Sequence, residues 1–393
     1  IGGTSADFAL IVDGEVQCGT DEQVGEFPLH IPSVSVSSIG IGGGSIATLG
    51  ALGVLRVGPE SAGSNPGPAC YGRGGTDATV TDALAVCGWL GHSEMAYGQL
   101  RMNVDLARQA VGVLADQLGR SIEETAQAII DIAVSEMFVE VEKLCSRAGV
   151  DLRDFALMPF GGGGPMLGAF LAQELGMSRV IAPRRPGVVS ALGGLVADLR
   201  GDFIRTVYAP LTDAALPQLE QDFAALADEG RAWLDAQGFE GTADLRLSAD
   251  MRYAGQSFEI EVALSPDWLG SADQIAAAFH QTHKRIYDFE DPDGKVELVN
   301  LRLSALGGAP KPTFPVSQAT QEQATADRHV PVWINGWRDV PIYDRAQLGG
   351  GAVFDGPAIV AQEDTTFAVP PGARAHVDAH LNIHLSLVEQ SDV

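Results

Sequence analysis

Residues 121–148 carry the clearest periodicity in the chain. Ile122, Ala126, Ile129, Ala133, Met137, Val141 and Leu144 recur every three or four positions, the spacing of one helical face. Ser121 and Glu124 form a capping-box pair at the start, and Gly149 is a natural stop. Glu136, Glu140 and Glu142 then read as a solvated face rather than a metal site. The same spacing predicts helices over 104–118, 166–175, 216–234 and 276–287, and an apolar helix-like stretch over 83–90. A further short helix rich in small residues follows Gly187. Alternation with a period of two predicts a hairpin over 1–17 turning at Asp13-Gly14, and strands over 31–37, 155–160 and 179–182. It also predicts a hairpin of 245–253 with 258–264 around Ala254-Gly255, and a strand over 297–305. Short strands at 331–334, 340–343, 358–361 and 367–369 complete the pattern. The class is α/β with a β-rich α+β C-terminal part. Glycine thins and charge rises near Gly201, so domains are predicted over 1–200 and 201–393.

Three glycine-rich segments interrupt this pattern. Gly2-Gly3-Thr4-Ser5 precedes Asp7 at the entry to the first strand, and Gly42-Gly43-Gly44-Ser45 follows a serine-alternating strand. Gly161-Gly162-Gly163-Gly164-Pro165 stands between a strand and a helix. Ordering consecutive glycines costs more backbone entropy than ordering other residues, and they are tolerated where backbone approaches a ligand oxygen or another backbone closely. The strand–glycine–helix arrangement places amide N–H groups and a positive helix end at one point. It is neither a Walker A loop, lacking Gly-Lys-Ser/Thr, nor a spaced GxGxxG. Residues 38–82 add Glu60, Ser61, Asn65, Arg73, Thr76 and Asp82 among rigid Pro-Gly turns, a candidate site held by backbone. Within these segments the candidate catalytic carboxylates are Asp7, Glu60 and Asp82, and Asp7 is the candidate metal residue.

Charge narrows the partners. With 51 acidic and 25 basic residues among 393, the net charge is −26, which argues against nucleic acid and anionic membrane, since both need clustered Lys and Arg. No apolar run approaches the ~18–20 residues of a membrane span. Cys18, Cys70, Cys87 and Cys145 lack metal-like spacing, and no leader is visible, so a reducing cytoplasmic setting is expected. Cys70, between Pro-Gly-Pro and Tyr71-Gly72, is either a nucleophile or ligand, or a buried inert thiol. His280 and His283 share a helix face without a third ligand, and His376, His380 and His384 alternate along an expected edge strand. Polar surface or core roles fit both groups. Arg184 and Arg185, between prolines, either meet phosphate or are exposed arginines without a specific role.

Motifs in a fixed order span nearly the whole chain: GGTSADFALI at 2–11, SIGIGGGSIA at 38–47, RVGPESAGSNPGPACYGRGGTDATVTDA at 56–83, MPFGGGGP at 158–165, RRPGVVSALGGLVAD at 184–198, DMRYAGQSFEIEV at 250–262, ELVNLR at 297–302 and GPAIVAQEDTTFAVPPG at 356–372. Together they resemble the A-type subunit of the hydantoinase/oxoprolinase family. That resemblance implies an actin/hexokinase/chaperone-like ATPase lobe, with ATP held by the three glycine segments and Mg²⁺ held by Asp7 directly or through water. It implies ATP-dependent opening of a small cyclic amide through a phosphorylated intermediate, or carboxylation of a ketone in relatives, and a B-type hydantoinase subunit as partner. A non-catalytic assembly subunit is the alternative from another class. Family members start well upstream with another lobe. The chain opens with a motif already under way, so a trimmed or partial product is expected, with the N-terminal lobe on another chain or lost. The family often has Asp and His where this chain has Ser35-Val36-Ser37-Ser38, and a His where it has Leu167.

Overall fold

Long-range strand pairing decides how this chain divides. In the computed structural model, residues 20–21, 25–26, 30–32, 93–97, 99, 319–321 and 388–393 are not described, nor are the side chains of 18, 19, 22–24, 27–29 and 33. Two units result: residues 1–190 with 314–393, and residues 191–313. The domain expected over 201–393 therefore meets a different partition. Its last 80 residues pair backward, because Ile383–Leu387 lies antiparallel beside Arg179–Ala182, with Val180 opposite Leu385.

Helices form the interior of the first unit. Helix α1 (Val80–Val86) is buried on every side and packs against α2 (Val104–Leu118) and α3 (Ile122–Ala148). The bounds of α2 and α3 follow the sequence periodicity, and Ser121 and Glu124 make the reciprocal capping bonds. Helix α4 (Gly164–Glu174) packs against α3 and against strand Thr366–Val369. A five-stranded sheet runs in the order Ala156–Leu157, Arg179–Ala182, Ile383–Leu387, Ala373–Val377, Val353–Asp355, parallel at its first pair and antiparallel thereafter. A four-stranded sheet joins Arg328–Trp333, Trp337–Asp344, Ala358–Ala361 and Thr366–Val369. One apolar core runs from Ala6 through these helices to Leu387. Gly88 shows how close its two sequence halves come: a Cβ there would lie 2.3 Å from the Pro331 carbonyl oxygen. At the N-terminal end, Ala6–Ala9 pairs with Val36–Ile39, and a hairpin turns at Asp13-Gly14 with both residues at positive φ. Residues 31–32 of the expected serine strand lie outside the described residues.

Helix α5 (Val189–Val196) is the small-residue helix expected after Gly187. The second unit follows the order β-α-β-β-α-β. Its sheet runs Leu199–Pro210, Val296–Gly307, Asp244–Tyr253, Ile260–Leu264, antiparallel throughout. Helices α6 (Leu216–Ala236) and α7 (Ala272–Tyr287) bury Leu219, Phe223, Leu226, Ile275 and Phe279 in its own core. The last strand runs slightly past the predicted 297–305, and the first, Leu199–Pro210, is a strand the alternation did not predict; the two pair along most of their length.

Candidate functional site

The first strand and its partner bring the N-terminal turn to the triple glycine. Asp7 stands opposite Ser38 in the ladder, which sets residues 2–5 against residues 42–44. Gly43 N–H donates to Gly2 O at 3.0 Å and Gly44 N–H to Gly3 O at 2.6 Å. Gly2 N–H closes the turn on Ser5 O at 2.9 Å. The second glycine loop meets the same segment, since Gly163 N–H donates to Ile1 O at 3.1 Å. All three glycine segments converge on residues 1–4.

They differ in what glycine does there. A Cβ on Gly42 would lie 2.8 Å from Gly2 O, Gly3 C and Thr4 N, and one on Gly44 would lie 2.8 Å from Gly3 O. One on Gly43 would meet Thr81 Oγ1 at 2.8 Å. The triple glycine is thus filled by protein backbone. Ser45 is buried and turned inward, its Oγ accepting from Gly42 N–H at 2.8 Å, so it fixes the loop. Gly3 and Gly162, by contrast, have nothing within 4 Å of a built Cβ. Among the described residues the amides of Gly3, Thr4 and Gly162 have no protein acceptor. Gly163 caps α4 without a side-chain bond, and Gly164 and Pro165 are buried in its first turn. Pro165 has no N–H and Gly164 and Met166 are buried, so the start of α4 adds its dipole beside the open glycine rather than a row of free donors. Thr365 Oγ1 donates to Gly162 O at 3.0 Å and steadies the loop from the C-terminal segment.

The three candidate carboxylates fall in three environments. Asp7 is exposed, and its Oδ1 accepts from Ser38 Oγ at 2.5 Å, leaving Oδ2 without a protein partner among the described residues. Glu60 is exposed in strand Leu55–Ser61 and has no hydrogen-bond partner among those residues. Asp82 is fully buried. It accepts from Cys70 N–H (2.7 Å), Ala69 N–H (3.2 Å), Thr79 N–H (3.0 Å) and Thr79 Oγ1 (2.7 Å). Three of these bonds fall on Oδ2 and one on Oδ1, so Asp82, sealed from solvent, clamps the Pro-Gly-Pro turn to the start of α1. Thr79-x-x-Asp82 is a capping box of the kind recognised at Ser121-x-x-Glu124, and that spacing was the signal for this role. Its neighbour Thr81 donates to Gly43 O at 2.7 Å, tying the clamp to the triple glycine.

The remaining singled-out groups resolve by contact. Burial, then the Asp82 charge, raises the Cys70 thiol far above its usual range, which makes it an inert core cysteine. Leu167 is buried at 1 % exposure in the α4 core, and Glu140 accepts from Ser37 Oγ rather than standing free in solvent. His283 is buried, with Nδ1 against Phe289 O at 2.7 Å, and His280 meets Tyr253 Oη at 2.8 Å. His376 and His384 face each other on strands inside the five-stranded sheet, which corrects the expectation of an edge. The side chain of Cys18 lies outside the described residues. No group of three or more His, Cys, Asp or Glu among the described residues could hold a metal ion by itself. Asp7 thus stands as a single carboxylate that belongs to no such group. Among the described residues no helix is long and apolar enough to cross a membrane.

Comparison with known proteins adds identity to this geometry. Residues 1–203 match the hydantoinase/oxoprolinase family model, and residues 211–388 match the hydantoinase/oxoprolinase C-terminal domain. The caprolactamase subunit alpha of Pseudomonas jessenii is 35 % identical over 98 % of this chain and 57 % of its own length. The solved ATP-dependent caprolactamase of that organism superposes with a TM-score of 0.83 at 34 % identity, over 98 % of this chain and 58 % of that one. A nucleotide-free acetone carboxylase, an enzyme of ATP-dependent acetone carboxylation, gives a TM-score of 0.83 at 26 % identity, over 99 % and 57 %. The chain spans a little over half the length of these relatives.

Proposed function

This chain belongs to the hydantoinase/oxoprolinase family, and on that footing we propose that its first unit supplies one wall of a nucleotide site in an ATP-dependent cyclic-amide hydrolase. The observation that carries the reading is that loops 42–44 and 161–164 both bond to residues 1–3 and leave the amides of Gly3, Thr4 and Gly162 without a protein acceptor among the described residues, near the start of α4. Such a cluster suits phosphate oxygens, which need several N–H donors and no competing carboxylate against them. The exposed Thr4 hydroxyl and the α4 dipole add to the same pull. We read this part of the chain as an actin/hexokinase/chaperone-like lobe.

ATP, when bound, supplies the phosphoryl group that turns an unreactive amide oxygen into an activated one. The residues of this chain hold and orient. Gly3, Thr4 and Gly162 donate to phosphate oxygens, while the triple glycine, Ser45, Thr81 and Asp82 keep the N-terminal turn in place. Asp7, steadied by Ser38, would hold Mg²⁺ through water. The subunit names of the relatives favour a hetero-oligomer, and a B-type subunit is the partner we assign. Ketone carboxylation is the second reading, favoured by the equal TM-score to acetone carboxylase; the higher identity to caprolactamase favours the hydrolase.

ATPase measured on the protein with its partner subunit decides between them. Stimulation by a lactam or hydantoin without bicarbonate supports the hydrolase. A requirement for bicarbonate and a ketone would replace it with the carboxylase, and failure to bind ATP in any assembly would remove both.

A further inference from the structure

The two arginines of the Pro-Arg-Arg-Pro-Gly turn at 183–187 take no part in the glycine cluster. They border a cavity of about 470 Å³ in the first unit, together with Arg345, Gln362, Glu363 and Leu381. Its size is that of a small-molecule site. Backbone bonds build the walls: Arg184 N–H donates to Asn382 Oδ1 at 3.0 Å, and Gln362 Nε2 donates to Arg184 O at 3.0 Å.

Arg345 is held at its rim by one nitrogen only. Nη2 donates to Leu381 O at 2.7 Å and, weakly, to Pro183 O at 3.4 Å. Its other N–H groups have no protein acceptor among the described residues, and they are not sealed away from solvent. The Arg184 guanidinium has no acceptor there either. Arg185 has one carboxylate near it, Glu363 at 3.7 Å, and both side chains are more than half exposed.

The nearby acids are otherwise engaged. Asp344 accepts from Ala346 N–H and Gln347 Nε2, Asp364 accepts from Gly187 N–H, and Asp378 accepts from Asn382, His380 and His384. Three guanidiniums thus line one cavity with two carboxylates, Glu363 loosely placed and Asp344 held by local hydrogen bonds, while Asp378 and Asp364 act on Arg345 from behind the wall. Burial, with Arg184 and Arg185 working against the pull of Asp378 and Asp364, brings Arg345 down to about 10, so it stays charged at neutral pH. Unpaired planar forks of this kind recognise oxyanions through two parallel N–H bonds.

We propose that this cavity binds a small oxyanionic molecule, its phosphate or carboxylate group held by Arg184, Arg185 and Arg345 and its apolar part resting on Leu348 and Leu381. The cavity shares no lining residue with the glycine cluster, and the turn carrying Arg184 and Arg185 is bonded to that cluster through Gly161 N–H to Pro186 O at 2.9 Å.

Calorimetric titration in magnesium-free buffer tests it, with inorganic pyrophosphate in one arm and citrate in the other. Saturable binding of one or both is expected, and the tighter arm tells phosphate from carboxylate. The Arg184→Gln/Arg185→Gln double variant should weaken that binding about tenfold or more, because two charge-assisted contacts are lost. Its melting temperature should match wild type, since both side chains reach toward solvent. Arg345→Lys keeps the charge, loses the fork and should also weaken binding; if it fails to fold, the double variant still decides. Pyrophosphate binding that survives the double variant and is weakened by Gly162→Ala belongs to the glycine cluster and would overturn the site. No binding in either arm, or equal binding by wild type and the double variant, would overturn the site.

Discussion

Loop 42–44 and loop 161–164 both lean on residues 1–4, the first through Gly43 and Gly44 and the second through Gly163. In the first, each missing Cβ is replaced by protein: Gly2, Gly3, Thr4 or the Thr81 hydroxyl. In the second, Gly161 is packed against Ile1, but Gly162 borders open space and its amide is unused among the described residues. The same residue type serves close backbone packing in one loop and an accessible donor in the other. Asp82 and Asp7 repeat the contrast among carboxylates, one buried under four donors and one exposed with an oxygen that has no protein partner among the described residues. A run of glycines or a buried acid in a family motif is therefore not by itself a contact to ligand. The free valence decides.

Substitutions on the two sides of this contrast should separate stability from binding. The largest effect belongs to Gly42→Ala, whose methyl would collide with three backbone atoms; a loss of about 3 kcal/mol or more is expected, read by urea denaturation. Tolerance of that alanine would break the packing explanation. Asp82→Ala comes next. It strands the amides of Ala69, Cys70 and Thr79, and should cost about 3 kcal/mol, again read by denaturation. Asp7→Asn should hold stability within about 0.5 kcal/mol, as exposed sites do, while lowering magnesium-dependent ATP affinity. If Asp82→Ala spared stability and selectively removed activity, the two carboxylates would exchange roles.

A smaller effect lies away from the loops. Burial acts to raise Asp378, but hydrogen bonds from His384, from the Asn382 side chain and amide and from the His380 amide outweigh it and hold it at about 2. Its folded value is thus depressed below the ~3.9 of an unfolded Asp. The stability it contributes is present above that value and is lost as pH falls from about 4 toward 2. Asp378→Asn should flatten the acid limb of the stability profile over that window. An unchanged limb would show that the strand-end turn does not depend on this charge.

Local chemistry was legible and long-range pairing was not. Periodicity gave α2 its bounds, and periodicity with the Ser121/Glu124 capping box gave α3 its own, because caps and apolar faces are set by neighbours within four residues. The return of residues 314–393 into the first unit depends on Arg179–Ala182 meeting Ile383–Leu387 across some 200 positions, and no local pattern encodes that. Composition changes at Gly201, close to where the two matched family regions, 1–203 and 211–388, meet, while the packing units divide at 190 and 313. The gathering of the three glycine segments followed from the motifs; which glycines stay open did not, since it depends on backbone atoms brought from elsewhere. The arginine cavity was visible in part as Arg184 and Arg185, while Arg345 enters only through the fold.

The central claim is that the open amides at residues 3, 4 and 162 meet phosphate. Calorimetric titration of Mg·ATP into wild type and Gly162→Val tests it most directly, because a Cβ there has no protein atom within 4 Å and the side chain would occupy the space a phosphate would enter. The account predicts equal melting temperatures, ATP binding by wild type, and at least about tenfold weaker binding by the variant. Equal affinity in the two proteins, or no affinity in either, would contradict it.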